Sequence, residues 1–306
     1  MAFYKTHLES TLNRIRIHST ALLLIALAAA LSTAWWKDTK AEFIFAAICI
    51  LIAGVPHGSL DHFVAGTTRQ RFRLFPFLIT YIATAVAYLL VWWLQPGIAF
   101  LFFLMITAWH FGETDLACFD AKNTSPLLTM LYGTAITLWL LMHDHATLLY
   151  WTNIVSRESA IAGTVMKWLT VVPHYAWFVI VALMLLLTQK NNPISFVTYL
   201  YFLAFLFILN YTSLITGFVL YFTGWHSMNA LTHIREKVFA KSELNKVLLK
   251  ALIPTVGAVL LLGVIAWLGQ GAWLEHNGLP ALFVLLSVLT LPHMTEMHRL
   301  YTQSKS

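Results

Sequence analysis

Four histidines stand near the ends of long apolar stretches: His57 in PHGSLDH, His110 in AWHFGETD, His226 in GWHSMNAL and His293 in LPHMTEMH. An imidazole in greasy sequence is expensive unless it has a partner, so each is a candidate for function. Four such side chains point to a metal site. Imidazole suits iron, copper, zinc and nickel, and a ligating ring usually donates its second N–H to a carboxylate or carbonyl.

Carboxylates are spaced for that role. Asp61 follows His57 by four residues, Glu113 follows His110 by three and Glu296 follows His293 by three, so on continuous helices each shares a face with its histidine. Asp115, five after His110, points elsewhere unless the helix has ended. Three more histidines compete less well as ligands. His62 and His298 each lie five residues past a favoured ligand and so point away from it on a helix. His233 shares a face with His226 but lies seven residues on, about 10.5 Å along the axis at the usual rise.

The elements that carry these residues are membrane spans. The chain of 306 residues is 59% hydrophobic and only 10% charged, with a mean hydropathy of +0.73. A soluble globule normally has about a quarter charged residues. The expected fold is therefore a single all-α integral membrane domain over 1–306, a polytopic transmembrane helical bundle. Stretches of roughly 20 apolar residues cross a bilayer core. About ten are expected, over 20–36, 41–62, 74–94, 98–118, 127–142, 172–188, 194–211, 213–232, 250–269 and 280–297. The first apolar run follows a basic stretch and has no clear small-residue cleavage site, so it reads as an anchor. Between spans, 143–171 reads as an interfacial amphipathic segment and 233–249 as the main loop on the other side.

Cytoplasmic loops carry the excess of Lys and Arg. With a cytoplasmic N-terminus, only Lys37, Lys40, Arg157 and Lys167 of the 19 basic residues fall outside, which supports an even span count and two cytoplasmic termini. The net charge of +6 then reflects topology and anionic lipid. Nothing indicates nucleic acid, and no GxGxxG or GxxxxGK[ST] occurs. Cys49 and Cys118 have no metal spacing and read as small buried hydrophobes.

This topology puts His57, His110, His226 and His293 at the inner ends of the second, fourth, eighth and tenth spans, at one depth. His143, His145, His174 and His276 map to the opposite side, and His7 and His18 to the N-terminal segment. A membrane di-iron desaturase or hydroxylase is a rival, but its HxxxH and HxxHH clusters are absent. A His/Asp proton-coupled transporter is another, but it would spread its histidines across the bilayer.

The ordered set PHGSLDH, WHFGETD, WHSMNAL and LPHM in a multispan chain resembles the Brp/Blh family of β-carotene 15,15′-dioxygenases, over about 41–300. The resemblance implies a bacterial cytoplasmic-membrane enzyme with Fe(2+) that uses O2 to cut β-carotene centrally into two all-trans-retinal molecules, often for a rhodopsin. The family pattern has a further histidine one turn after the WH motif. That position is Ala230 here, so the fourth ligand is assigned to His293, with His233 as the substitute. Such an enzyme needs an aromatic, laterally open tunnel. Phe100, Phe102, Phe103, Trp109, Phe111, Tyr221, Phe222 and Trp225 lie beside the ligand segments. No protein nucleophile or general base is required.

Overall fold

The computed structural model describes residues 2–119, 124–188, 193–240, 242–268 and 279–303, with the side chains before Ser19 left out. His276, Lys122, Lys190, Lys241 and Lys305, and the side chains of His7 and His18, lie outside the described residues. All regular structure among those described is helical. In a bilayer each backbone amide must find its partner within its own segment, which leaves the helix as the economical choice for sequence this apolar.

In chain order the helices are α1 (Ala2–Trp36), α2 (Lys40–Cys49), α3 (Val55–Gly58), α4 (Asp61–Thr68), α5 (Leu74–Leu94), α6 (Pro96–Cys118), α7 (Pro126–Met142) and α8 (His145–Val155). They continue as α9 (Ala160–Leu169), α10 (His174–Thr188), α11 (Pro193–Leu209), α12 (Leu214–Val219), α13 (Met228–Lys237), α14 (Leu244–Leu268) and α15 (Leu279–Gln303). Two π-helical segments interrupt the sequence of α-helices, Ile50–Gly54 before α3 and Leu220–Ser227 between α12 and α13.

Local signals set many of the starts. The side chains of Thr39, Ser125, Asp144, Ser159 and Ser213 accept from the backbone N–H three residues on, satisfying amides that a helix N-terminus leaves open. Pro96 and Pro126 open their helices, where the missing N–H costs nothing.

Six helices are long and apolar enough to cross a membrane, or up to eight if each of two bent pairs forms one span. The six overlap the expected spans 20–36, 41–62, 74–94, 98–118, 250–269 and 280–297. The expected spans 127–142 and 172–188 are each one arm of a bent pair, α7 with α8 at 102° and α9 with α10 at 71°. Thus 143–171 forms α8 and α9, two short helices turned from their neighbours. The expected span 194–211 corresponds to α11, Pro193–Leu209, an apolar helix of 17 residues. The expected span 213–232 falls within a run divided by the second π segment and ending in the polar α13, and it does not meet the length and hydropathy of a span. By length and composition, the described residues thus hold six helices able to cross, or up to eight, of the ten crossings expected.

The helices α6 and α7 pack closest. A Cβ on Gly133 would lie 1.6 Å from the Ala108 carbonyl oxygen, and one on Gly112 would lie 2.2 Å from that of Thr129. Only glycine lets the two backbones meet there. Further in, the Trp92 indole donates to the Ser287 hydroxyl at 2.6 Å, tying α5 to α15. Buried Glu42 accepts from the hydroxyls of Ser213 and Thr216, tying α2 to the start of α12. Trp35, Trp93, Trp168 and Trp267 are exposed near helix ends, where tryptophan suits the headgroup level.

Candidate metal centre

The four histidines arrive from four different elements. His57 lies on α3 directly after the first π segment, His110 on α6, His226 within the second π segment and His293 on α15 after Pro292. All four are buried. Ring centroids are 4.7 Å apart for His57 and His293, 4.8 Å for His110 and His226, 4.9 Å for His110 and His293, and 5.5 Å for His57 and His226. Nitrogens of His57, His110 and His293 all lie within 4.8 Å of one another, and His226 closes the group from the side of His110.

The two π segments matter for this convergence. Widening a turn from i→i+4 to i→i+5 bonding changes the facing of every side chain downstream and loosens nearby carbonyls. One such carbonyl, Gly54 O, accepts from His57 Nδ1, so Nε2 is the nitrogen that this ring could offer to an ion. Another, Phe222 O, accepts from the Ser227 hydroxyl at 2.7 Å. The segments touch where a Cβ on Gly54 would come within 2.6 Å of the Phe222 ring. That ring stacks on His226 at 5.7 Å and 15°, and Phe111 covers the same imidazole at 4.6 Å.

Buried polar atoms normally have partners. Here both nitrogens of His110, both of His226 and Nε2 of His293 have none. Three imidazoles sealed among aromatic rings with unanswered nitrogens are what a cation-binding group needs, and nitrogen donors of this kind suit iron. The donor set therefore fits the metal that the sequence suggests.

Among the acids, the structure revises the partners expected from spacing. Asp61 was expected to face His57, but α3 ends at Gly58 and α4 begins at Asp61, so the break turns the carboxylate across to α15. His293 Nδ1–H donates to Asp61 Oδ1 at 2.7 Å, and the Tyr81 hydroxyl donates to Oδ2 at 2.8 Å. Glu113 pairs with His298 Nδ1, leaving His110 without a hydrogen bond. Glu296 forms an ion pair with Arg69. Asp115 turns away from the imidazoles and accepts from Trp225 Nε1 at 3.0 Å and from the hydroxyls of Tyr221 and Tyr132 at 2.9 and 3.2 Å. Since Tyr221 and Trp225 belong to the π segment of His226, Asp115 locks that segment to α6. Neither Tyr81 nor the three donors to Asp115 is visible in the spacing of the sequence, where each is one aromatic among many.

Among the other described histidines, His62 shares a cavity wall with the cluster and the others lie apart. His233 packs edge-on against Tyr301, His62 lies against Phe63, and His298 is half exposed beside Trp109. On the remote side, His143 is bonded to the carbonyls of Leu140 and Thr212 and His174 to Asn210.

An apolar cavity of about 450 Å³ reaches the cluster, with His57, His110 and His293 in its wall. Phe111 and Phe222 flank the imidazoles, and α5, α6, α14 and α15 build much of the rest, with Val55, Gly58, Ser59, Asp61 and His62 from the α3–α4 stretch and Phe218 from α12. A second apolar cavity of about 110 Å³ shares Phe103, Thr107, Phe218 and Leu286 with the first. From Thr107 to Phe100 the combined wall extends about 10.5 Å along α6, its far end about 15 Å from His110 at the helical rise.

Fold and site together define a membrane helical bundle with a buried imidazole cluster facing an apolar cavity. A profile of the β-carotene 15,15′-dioxygenase family matches residues 47–301, and the chain belongs to that family of carotenoid-cleaving dioxygenases. A curated relative from Uncultured marine bacterium 66A03, described as β-carotene 15,15′-dioxygenase, is 25% identical over 261 residues, covering 80% of this chain and 89% of its own. No solved structure matches the chain.

Proposed function

We propose that this chain cleaves β-carotene at its central 15,15′ double bond with O2, giving two all-trans-retinal, with Fe(2+) held by His57, His110, His226 and His293. The observation that carries the reading is the cluster of imidazoles with unanswered nitrogens beside an apolar cavity walled by His57, His110 and His293. When bound, the ferrous ion supplies the redox chemistry that lets O2 react with the polyene. Both oxygen atoms end in the two aldehydes, so neither a reductant nor a protein proton donor is consumed.

The chain's own residues supply placement. Gly54 O and Asp61 fix the tautomers and tilts of His57 and His293, because a ring whose Nδ1 is held presents Nε2 to the site. Phe111 and Phe222 keep water from the imidazoles. Apolar walls run from the cluster along α5, α6 and α15 and favour a long hydrocarbon, and central cleavage requires its middle to come near the imidazoles. An extended polyene needs no polar anchor, and burial of its length drives binding.

The protein is read as an integral protein of a bacterial cytoplasmic membrane with both termini in the cytoplasm. Up to ten crossings follow if α11 and the run from α12 to α13 also traverse, and the distribution of Lys and Arg supports this. It takes substrate from membrane lipid and supplies retinal, with a rhodopsin as the fitting client. Carotenoid-making cells expressing the chain should lose their orange colour and accumulate retinal. Cells that stay orange and form no retinal, despite iron-loaded protein in the membrane, would refute the activity.

A further inference from the structure

Among the described residues, six glycines have a steric reason to be glycine. A Cβ at Gly54, Gly97, Gly112, Gly133, Gly217 or Gly224 would meet another atom at 2.7 Å or less. Gly257 is different. It lies in the middle of α14, where glycine weakens a helix, yet nothing stands within 4 Å of the place its Cβ would occupy. It is exposed on the outer face of the bundle and at the same time lines the cavity that reaches the histidines.

Across from it, α5 shows the same double character. Leu78, Ile82 and Val86 are 41%, 58% and 49% exposed and also line that cavity. A residue that is both outer surface and cavity wall marks the rim of an opening. The helices α5 and α14 each pack against α15 and, among the described residues, do not pack along each other. The gap between them is rimmed by apolar side chains that face hydrocarbon in a bilayer. Farther in, Ala85 and Ala258 are small buried residues behind the rim on the two helices.

We propose that the space between α5 and α14 is the portal through which the carotenoid passes sideways from the bilayer to the histidine cluster, and that Gly257 keeps it clear. The identity of the passenger rests on the function proposed above. The open place at Gly257 means that a large side chain there has room to occupy the mouth without displacing a packed neighbour. Closure can therefore be imposed without unfolding the helix.

The test measures the rate at which β-carotene passes from liposomes into iron-loaded protein, followed by quenching of tryptophan fluorescence, with retinal yield recorded alongside. Gly257→Trp should slow uptake by about ten-fold or more, as expected when a docking route is obstructed, while keeping its iron. Gly257→Ala should match the parent. Gly263→Trp is the control, since Gly263 is exposed on the same helix with open space around it and does not line the cavity. Uptake by Gly257→Trp at the parent rate would overturn the portal, as would equal slowing by Gly263→Trp. A parent that takes up β-carotene without cleaving it would refute the activity and leave the portal standing.

Discussion

The bond between Asp61 and His293 offers a direct measure of how far the imidazoles depend on their supports. In Asp61→Asn the side chain keeps its size and one carbonyl oxygen, so His293 Nδ1–H retains an acceptor. The amide nitrogen then faces the Tyr81 hydroxyl, which can accept in place of donating. What disappears is the negative charge 2.7 Å from the ring nitrogen. A carboxylate behind a ligating imidazole typically contributes about 10 to 100-fold in metal affinity or activity, equivalent to about 1.4 to 2.7 kcal/mol. Tyr81→Phe removes one hydrogen bond to the same carboxylate, at 2.8 Å, and should cost only about 1 kcal/mol. Iron affinity measured by chelator competition on purified protein should fall in that order, with thermal stability monitored in parallel. The choice of His293 over His57 as the partner is tested by a double-variant cycle. Once His293→Ala is present, adding Asp61→Asn should have little further effect; in a His57→Ala background it should still lower iron affinity. Parent iron affinity and turnover in Asp61→Asn, or the opposite pattern in the cycle, would refute the reasoning.

Other changes test the surroundings. Asp115→Ala strips the acceptor from three buried donors at about 1 to 3 kcal/mol each, so thermal stability and iron content should drop together, and an unchanged melting temperature would contradict the lock on the π segment. His226→Ala should lower iron content and retinal formation while His233→Ala, against Tyr301, should leave both near parent values; equal effects would remove His226 from the ligand set. Gly54→Ala should push Phe222 and destabilise by about 1 to 3 kcal/mol, and adding Phe222→Leu should recover iron binding; no recovery would mean that the contact between the π segments does not set the site. For orientation, Ser156 is buried and unsuited to labelling, so single cysteines at exposed Asn153 and Ser242 in a chain lacking Cys49 and Cys118 serve instead. An impermeant thiol reagent on intact cells should label 153 and spare 242, and the reverse would invert the topology.

The convergence of the histidines was legible because it depends on quantities a sequence records: the length of each apolar run, the position of His within it and the side on which Lys and Arg collect. Read as ten spans, those put His57, His110, His226 and His293 at one expected level, and the four rings do meet, although the stretch holding His226 is not among the helices long and apolar enough to cross. The acids were harder, because spacing finds a partner only on a continuous helix. Asp61 is four residues from His57, but the break between Gly58 and Asp61 sends it to His293. Glu113 is three from His110 and is captured by His298 from another helix. Nor does composition distinguish a crossing from a helix that bends away, so 127–142 and 172–188 read as isolated spans while the chain builds bent pairs at 102° and 71°.

Irregular backbone supplies what regular spans lack here. Side chains on a straight helix turn by a fixed step, so one depth does not ensure that several rings face one point. In this chain His57 follows a π segment and a break, His226 lies inside a π segment, and His293 follows a proline within α15. Of the four, His110 is the one on a helix without such an interruption, and its helix is held close to α7 by Gly112 and Gly133. Distorted helix exposes backbone carbonyls, a cost in lipid unless another group answers them. Here the answers are functional groups: His57 Nδ1 takes Gly54 O, and the Ser227 hydroxyl takes Phe222 O. The distortion that turns two rings inward thus also provides bonds that hold their surroundings, while Asp115 anchors the longer π segment through Tyr221 and Trp225. Geometry and stability of the imidazole cluster consequently depend on the same few contacts, so variants at those contacts should lose iron before the rest of the bundle unfolds.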